Sequence, residues 1–410
     1  MTQKVLDKIN MISEHIDLRI KNNNDISLIN GIGALPVYYF LKFKLTNDKE
    51  YINKIHCSLE KIIELINETD IQFSYCNGLI GVAHMFNFIR KKNILNPESL
   101  IDIEEALLII DETIVELSLS KTNTIEDVDF LHGSFGGALY LIERYSESSD
   151  QMFKEKVIEL FEKLAYIVLD DVEKTKKNTS LINFDENAHK TNCGLAHGHT
   201  SYIIIFSKFL DNVPENLLIK NALIASVECL LGFQSTDEKS FAQFPSIAMN
   251  KLTAQYNIPL GWCYGDQTIS LGLHKASNIL QNDDLKQKAL DLAYATLKRD
   301  TFEKIFPSSK YDAGFCHGLS SVAYIHKKWY SISKDKIFYK QYEKYISDIL
   351  DYGDKNVGVA GYQKYMGKDG YMDSIGFLDG AIGIGIVLID YLLEFDDAGW
   401  DKFFLLDINN

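Results

Sequence analysis

The chain is short of proline, of cysteine, of basic charge and of long apolar runs, and each shortage excludes something. Six prolines in 410 residues, with 46% hydrophobic content, leave room for a large core in one big domain or two ordinary ones. No run of eighteen or more uncharged apolar residues occurs, so no transmembrane helix is expected. The N-terminus, MTQKVLDKIN, is too polar for a signal peptide. Both features predict a cytoplasmic protein. The formal net charge of −15 argues against a nucleic-acid surface and favours a basic or neutral partner, although a solvated acidic exterior is the commoner cause of such a balance. The six cysteines (Cys57, Cys76, Cys193, Cys229, Cys263 and Cys316) are spread widely through a large chain without an export signal. Disulfides are therefore not expected, and metal binding or plain burial is left for them.

What the chain does have is repetition. GWCYGD at 261–266 and GFCHGL at 314–319 are variants of one phrase, and it returns around Gly31, Gly78, Gly133, Gly198 and Gly380. Seven anchoring glycines, spaced by about 47 to 67 residues, leave room for two helices and two connections per repeat. Three residues past each anchor stands a small residue: Ala34, Gly81, Gly136, Ser201, Thr268, Ser321 or Gly383. Such a stripe predicts close approach by a neighbouring backbone. The segment after each anchor is almost continuously apolar and reads as a helix buried all round. Between anchors lie amphipathic segments such as EYINKIHCSLEKIIELI, with one apolar stripe and one charged face.

Seven buried helices alternating with seven half-exposed ones predict an all-α fold, an (α/α)7 double toroid with an inner ring inside an outer ring, spanning 1–410 as one domain. The stretches 171–192, 234–260 and 352–375 lack a clear period and are expected to be irregular insertions, candidate lids or substrate-gripping segments.

The residues just before the anchors are Asn30, Asn77, His132, His197, Tyr264, His317 and Asp379, all polar. Asn30, Asn77 and Asp379 are accounted for as helix N-caps. The histidines and the tyrosine are poor caps and need another explanation. One position further back, Cys263 and Cys316 occupy the same register of successive repeats, so their sulfurs can converge with His317 beside them. Two thiolates and one imidazole suit Zn²⁺, and three protein ligands leave the fourth tetrahedral position open, as catalytic zinc requires. Helix N-termini would favour both thiolates. Two buried cysteines with a satisfied histidine are the plain alternative. Cys57, Cys76, Cys193 and Cys229 read as packing residues. His197, in the adjoining repeat, suits a general acid or base near zinc. Asp129, four residues before Gly133, either orients an imidazole, takes a proton or caps the helix. His132 and His199 are weaker candidates, the latter packing between helices.

GLAHG, GWCYG and FCHG, in that order on a sevenfold glycine pattern, resemble the lanthionine synthetase C-like family over essentially the whole chain. The resemblance implies a double toroid holding one zinc on Cys263, Cys316 and His317, with His197, Asp129 and Tyr264 as catalytic residues. It implies a zinc-dependent cyclase of lanthipeptide antibiotic biosynthesis, adding cysteine thiols of a precursor peptide to dehydroalanine or dehydrobutyrine to close (methyl)lanthionine thioether rings. The implied partners are a dehydrated precursor peptide with its leader, a dehydratase and a transporter, in a complex that would hold the enzyme peripherally at the membrane. Richness in Lys, Asn and Ile suggests a bacterial source. Two departures stand out: Pro259 occupies a position where many such cyclases carry Arg, and Ser201, Thr268 and Ser321 replace glycines, which should narrow the space between inner helices. Alternatives are a member that adds glutathione to dehydroamino acids, a non-catalytic zinc-containing scaffold of a peptide-modification complex and, more remotely, a toroidal zinc prenyltransferase.

Overall fold

In a computed structural model that describes residues 1–68, 71–178, 188–237, 239–308, 310–394 and 397–408, each of the seven anchoring glycines opens a helix. The buried helices are α2 (Leu35–Thr46, entered through a 3-10 turn at Ile32–Ala34), α4 (Leu79–Arg90), α6 (Ser134–Glu147), α8 (His199–Asn212), α10 (Asp266–Leu280), α13 (Leu319–Ser333) and α15 (Ala381–Leu392). The half-exposed helices are α1 (Thr2–Arg19), α3 (Glu50–Glu68), α5 (Pro97–Ser120), α7 (Gln151–Asn178), α9 (Leu217–Gly232), α11 (Asp283–Thr296) and α14 (Lys336–Tyr352); a short helix, α12, covers Phe302–Ile305. The two sets bury themselves as their periods dictate. In α3 one stripe is covered (Ile55, Ser58, Leu59, Ile62 and Leu65), whereas α8 is buried almost continuously from His199 to Leu210. Among the described residues no helix is long and apolar enough to cross a membrane.

The chain divides into two compact units. One comprises Met1–Thr113 with Tyr311–Phe403 and contains α2, α4, α13 and α15; the other comprises Ile114–Lys310 with Phe404–Asn410 and contains α6, α8 and α10. In the first, α13 and α15 bury the ion pair Lys327–Asp390, and Asp390 Oδ1 also accepts from Trp400 Nε1 at 3.0 Å. In the second, Trp262 is fully buried and donates from Nε1 to the Phe404 carbonyl at 2.8 Å, which fixes the GWCYG stretch from behind.

The two helix sets start differently. Three of the half-exposed helices, α9, α11 and α14, use side-chain caps: Asn216 accepts from the Ile219 amide at 3.1 Å, Asn282 from Leu285 at 2.9 Å and Asp335 from Ile337 at 3.0 Å. At the buried helices the N-cap residue is the glycine itself. The expectation that Asn30, Asn77 and Asp379 act as caps is therefore corrected; Asn30 instead donates from Nδ2 to Asn77 Oδ1 at 2.9 Å. Glycine is required because the chain folds back on itself. A Cβ on any of the seven would fall within 3.0 Å of the carbonyl group six residues earlier, for example that of Asp25 behind Gly31 or Asn192 behind Gly198. Only at Gly265, of the seven, is φ also positive (105°).

At two of the small residues one turn later the nearest constraint is the chain's own backbone. A Cβ on Gly81 or Gly383 would strike its own preceding turn, at the Tyr75 and Phe377 carbonyls, before any neighbouring helix. The three hydroxyl residues Ser201, Thr268 and Ser321 bond back to the carbonyls of their own anchors, Gly198, Gly265 and Gly318, at 2.7, 3.3 and 3.0 Å.

The expected insertions are partly ordered. Helix α7 continues to Asn178, well into 171–192, because Asp171, Val172, Thr175 and Asn178 extend its buried stripe; 179–187 lie outside the described residues. Strand β1 (Thr191–Asn192) pairs antiparallel with β2 (Ile247–Ala248) from the 234–260 stretch, Thr191 opposite Ala248. Within 352–375, β3 (Lys364–Tyr365) and β4 (Tyr371–Met372) form an antiparallel pair with Lys364 opposite Met372.

Gly198→Ala should lower the urea unfolding midpoint by the equivalent of about 3 kcal/mol or more, the upper end for single substitutions. Gly232→Ala, where a Cβ meets nothing within 4 Å, should raise it by about 0.5–1 kcal/mol. Matching midpoints for the two variants would contradict the close-approach account.

Candidate active site and metal donors

In all seven turns the residue before the anchor is more open than its buried glycine. Asn30, Asn77 and His132 are exposed, and His197, Tyr264, His317 and Asp379 are half-buried. Position in the turn thus presents a polar side chain regardless of its type, and the four rings are presented with it.

In the second unit two of these residues, His132 and His197, meet Asp129. His197 Nδ1 donates to Asp129 Oδ2 at 3.3 Å, and the His132 backbone N–H donates to Asp129 Oδ1 at 2.6 Å. Burial pushes the Asp129 carboxyl up, but these two hydrogen bonds and the neighbouring imidazoles together hold it below the usual carboxylate range. The rings of His132 and His197 lie nearly parallel (10°) with centroids 5.6 Å apart. Asp129 does not cap α6, whose N-cap is Gly133; its carboxylate accepts from His197 instead.

The turn bearing Cys263 and Tyr264 is built in the same unit. The Cys263 carbonyl accepts from the amides of Leu195 and Ala196 at 2.9 and 3.3 Å, which ties it to the turn bearing His197. The Tyr264 ring covers Gly194, where any Cβ would collide with it. In the first unit, the Phe315 and Cys316 amides donate to the Leu378 carbonyl at 2.6 and 3.2 Å, so Cys316 and His317 leave a turn held in the same way. Two sets of side chains among the described residues carry donors for a metal ion: Cys263, Cys316 and His317, and Asp129, His132 and His197.

Two carboxylates that sequence reasoning passed over hold these turns to the insertions. Asp266, the first residue of α10, accepts from the amides of Gln243 (3.1 and 2.9 Å) and Phe244 (3.1 Å), so the 234–260 stretch hangs on the residue next to Gly265. Burial raises its pKa to about 6, against the pull of those amides and Arg299. Asp312 accepts from the Gly314 amide through Oδ1 at 2.9 Å and from the Tyr365 amide through Oδ2 at 2.8 Å, joining the Cys316–His317 turn to β3; burial pushes its pKa up, with His317 opposing. A signal for Asp312 was available. Asp25, Asn192 and Asp312 each stand six residues before an anchor and bond the amide two residues on at 2.9 Å, a repeated Asx turn.

The remaining candidates have other roles. His199 is buried and pairs through Nε2 with Asp171 at 2.9 Å; burial lowers its pKa, but Cys229 and Asp171 outweigh this and raise it to about 10. Cys76 and Cys193 are buried, Cys193 with its thiol pushed strongly up by burial, while Cys57 is exposed on α3 and does not pack. None of the six cysteines, all of them among the described residues, is joined in a disulfide. Beside Pro259, the buried Arg299 donates to the Ile258 and Lys304 carbonyls at 2.7 Å, so this cation supports the backbone there.

The profile described as "Lanthionine synthetase C-like protein" matches residues 22–405, and the chain belongs to that family. Among solved structures it matches nisin cyclase with a TM-score of 0.72 and 19% identity, covering 98% of this chain and 96% of that one. At that identity the likeness establishes the fold, which is the all-α double-toroid class that the repeats predict. An unsaturated glucuronyl hydrolase from Bacillus sp. GL1 matches at a TM-score of 0.48 and 12% identity over 97% of each chain, too low to argue from. No curated protein matches the chain in sequence.

Asp266→Ala leaves the Gln243 and Phe244 amides without their acceptor. Hydrogen exchange at those two amides should accelerate at least tenfold, since a lost bond of about 1.5 kcal/mol or more is worth that factor, while exchange within α8 stays unchanged. Unaltered exchange at 243–244 would show that Asp266 does not hold the insertion.

Proposed function

We propose that this protein is a zinc-dependent lanthipeptide cyclase, closing (methyl)lanthionine rings by adding a precursor-peptide thiol to dehydroalanine or dehydrobutyrine. The observation that carries this reading is the Asp129–His197 pair, 3.3 Å between Nδ1 and Oδ2, on a turn bonded through Leu195 and Ala196 to the carbonyl of Cys263. An acid–base pair beside a thiol donor serves chemistry that a scaffold has no use for. The family and the nisin cyclase fold support the same reading.

Cys263, Cys316 and His317 fit zinc by donor chemistry: two thiols and one imidazole, with a tetrahedral position left for substrate. Zinc held there would lower the pKa of the substrate thiol and keep it as thiolate near neutral pH. Helices α10 and α13 begin directly after the two cysteine turns, at Asp266 and Leu319, so their N-terminal amides favour negative charge at both sulfurs. Attack of the peptide thiolate on the β-carbon forms the C–S bond and moves the alkene electrons onto the adjacent carbonyl, giving an enolate. His197 supplies the proton that the α-carbon then takes. Asp129, kept ionised by its two hydrogen bonds, holds the imidazole in position. Tyr264, in the Cys263 turn with its ring against Gly194, is the remaining catalytic candidate, with contact to the peptide as its proposed role.

The test uses His197→Asn, which removes the proton donor but none of the three proposed ligands. Zinc content should equal that of wild type, and ring closure should slow by about 10²–10⁴-fold. Closure is followed on dehydrated precursor peptides by counting the thiols still open to alkylation, because cyclisation leaves mass unchanged. Wild-type rates in the variant would remove His197 from the mechanism. Wild-type protein that protects no thiol in any of several dehydrated precursors would refute the cyclase reading.

A further inference from the structure

The mechanism above uses His197 and Asp129 but leaves the imidazole of His132 unused. That ring stands beside theirs, within one unit of the chain. One donor atom from each of Asp129, His132 and His197 lies within 4.8 Å of the other two. Two imidazoles and one carboxylate are the donor set that borderline divalent cations accept with open positions left for water. The carboxylate is ready for this role: it is held ionised by its hydrogen bonds, and the backbone N–H of His132 fixes its orientation at 2.6 Å. Access is present too, since His132 is exposed while His197 and Asp129 are half-buried. The set differs in chemical character from the thiol-rich one, so the two groups discriminate between cations by softness as well as by position.

We propose that Asp129, His132 and His197 form a second divalent-metal site, taking Zn²⁺, Co²⁺ or Ni²⁺, whose occupation switches the cyclase off. Binding needs the lone pair on the His197 nitrogen that otherwise carries the proton shared with Asp129. That proton leaves to solvent when the cation enters, and the imidazole, now a neutral ligand, can no longer become the imidazolium that protonates the enolate. Excess metal therefore inhibits ring closure by occupying the acid–base pair, without touching the proposed catalytic zinc. The inhibitory consequence rests on the cyclase reading; binding of the cation does not.

The experiment titrates the protein, as purified with its metal, with Co²⁺ and follows absorption. Cobalt on nitrogen and oxygen donors gives weak visible bands without the near-ultraviolet thiolate charge-transfer band, so its location can be read from the spectrum. Wild type should bind one further equivalent with the nitrogen–oxygen signature, and both His132→Ala and His132→Gln should lose it while keeping the wild-type circular dichroism. Ring closure by wild type should slow as Co²⁺ or Zn²⁺ is added in excess, and in both variants the ratio of rates with and without added metal should stay near one. Identical nitrogen–oxygen bands in wild type and the two variants, or charge-transfer bands only, would overturn the site. His132-dependent binding in a protein that closes no rings would leave the metal site standing and refute the cyclase reading instead.

Discussion

One backbone hydrogen bond, repeated in register, determines where the functional side chains stand. In four of the turns the carbonyl two residues before the anchoring glycine accepts amides from the corresponding turn of another repeat. Ile29 accepts from Phe377 and Leu378, Leu378 from Phe315 and Cys316, and Cys76 from Ile29 in the first unit; Cys263 accepts from Leu195 and Ala196 in the second. A buried carbonyl must find a donor, so each turn is satisfied only when a neighbour presents its amides in the same register. Cys263 and Cys316 are themselves members of this series. Their thiols therefore leave backbones that cannot shift without breaking a rung, and the residue that follows each, Tyr264 or His317, is turned to the more open side.

The price of that arrangement is the tight reversal at each anchor, where only glycine fits against the carbonyl six residues earlier. The reversals bring two buried carboxylates close to the cysteine turns, and each holds an irregular segment. Asp266 takes three hydrogen bonds from two amides of the 234–260 stretch, and Asp312 divides its oxygens between Gly314 and Tyr365. A carboxylate buried in this way is tolerable because amides satisfy it, and losing them would leave a costly orphan charge. The insertions are thereby coupled mechanically to the turns that carry the proposed metal ligands.

Much of this was legible in the sequence because the repeats are written in glycine and in hydrophobic period. The alternation of buried and half-exposed helices and the polar position before each anchor follow from that pattern, whereas for Asp129 the sequence left three roles open. What the pattern hid was mostly the work of backbone geometry. Asn30 and Asn77 look like caps, but the backbone enters the helix one residue later, at glycine, and their side chains bond to one another. The small residues at Gly81 and Gly383 look like a helix-packing stripe, but the constraint is the chain's own turn. Helix α7 outruns its apolar run because Asp171 is buried against His199 and His189, so a charged residue occupies a core position. Cys57 carries no pattern at all, and a lone thiol on an outer helix is as easily exposed as packed.

The central claim, that two cysteines and a histidine from separate repeats hold one zinc, is tested most directly by X-ray absorption at the zinc edge of the purified protein. The account predicts a shell of two sulfur scatterers at about 2.3 Å with nitrogen or oxygen at about 2.0–2.1 Å, reduced to one sulfur in Cys316→Ala. A zinc shell of nitrogen and oxygen alone, or one that keeps both sulfurs in that variant, would contradict it.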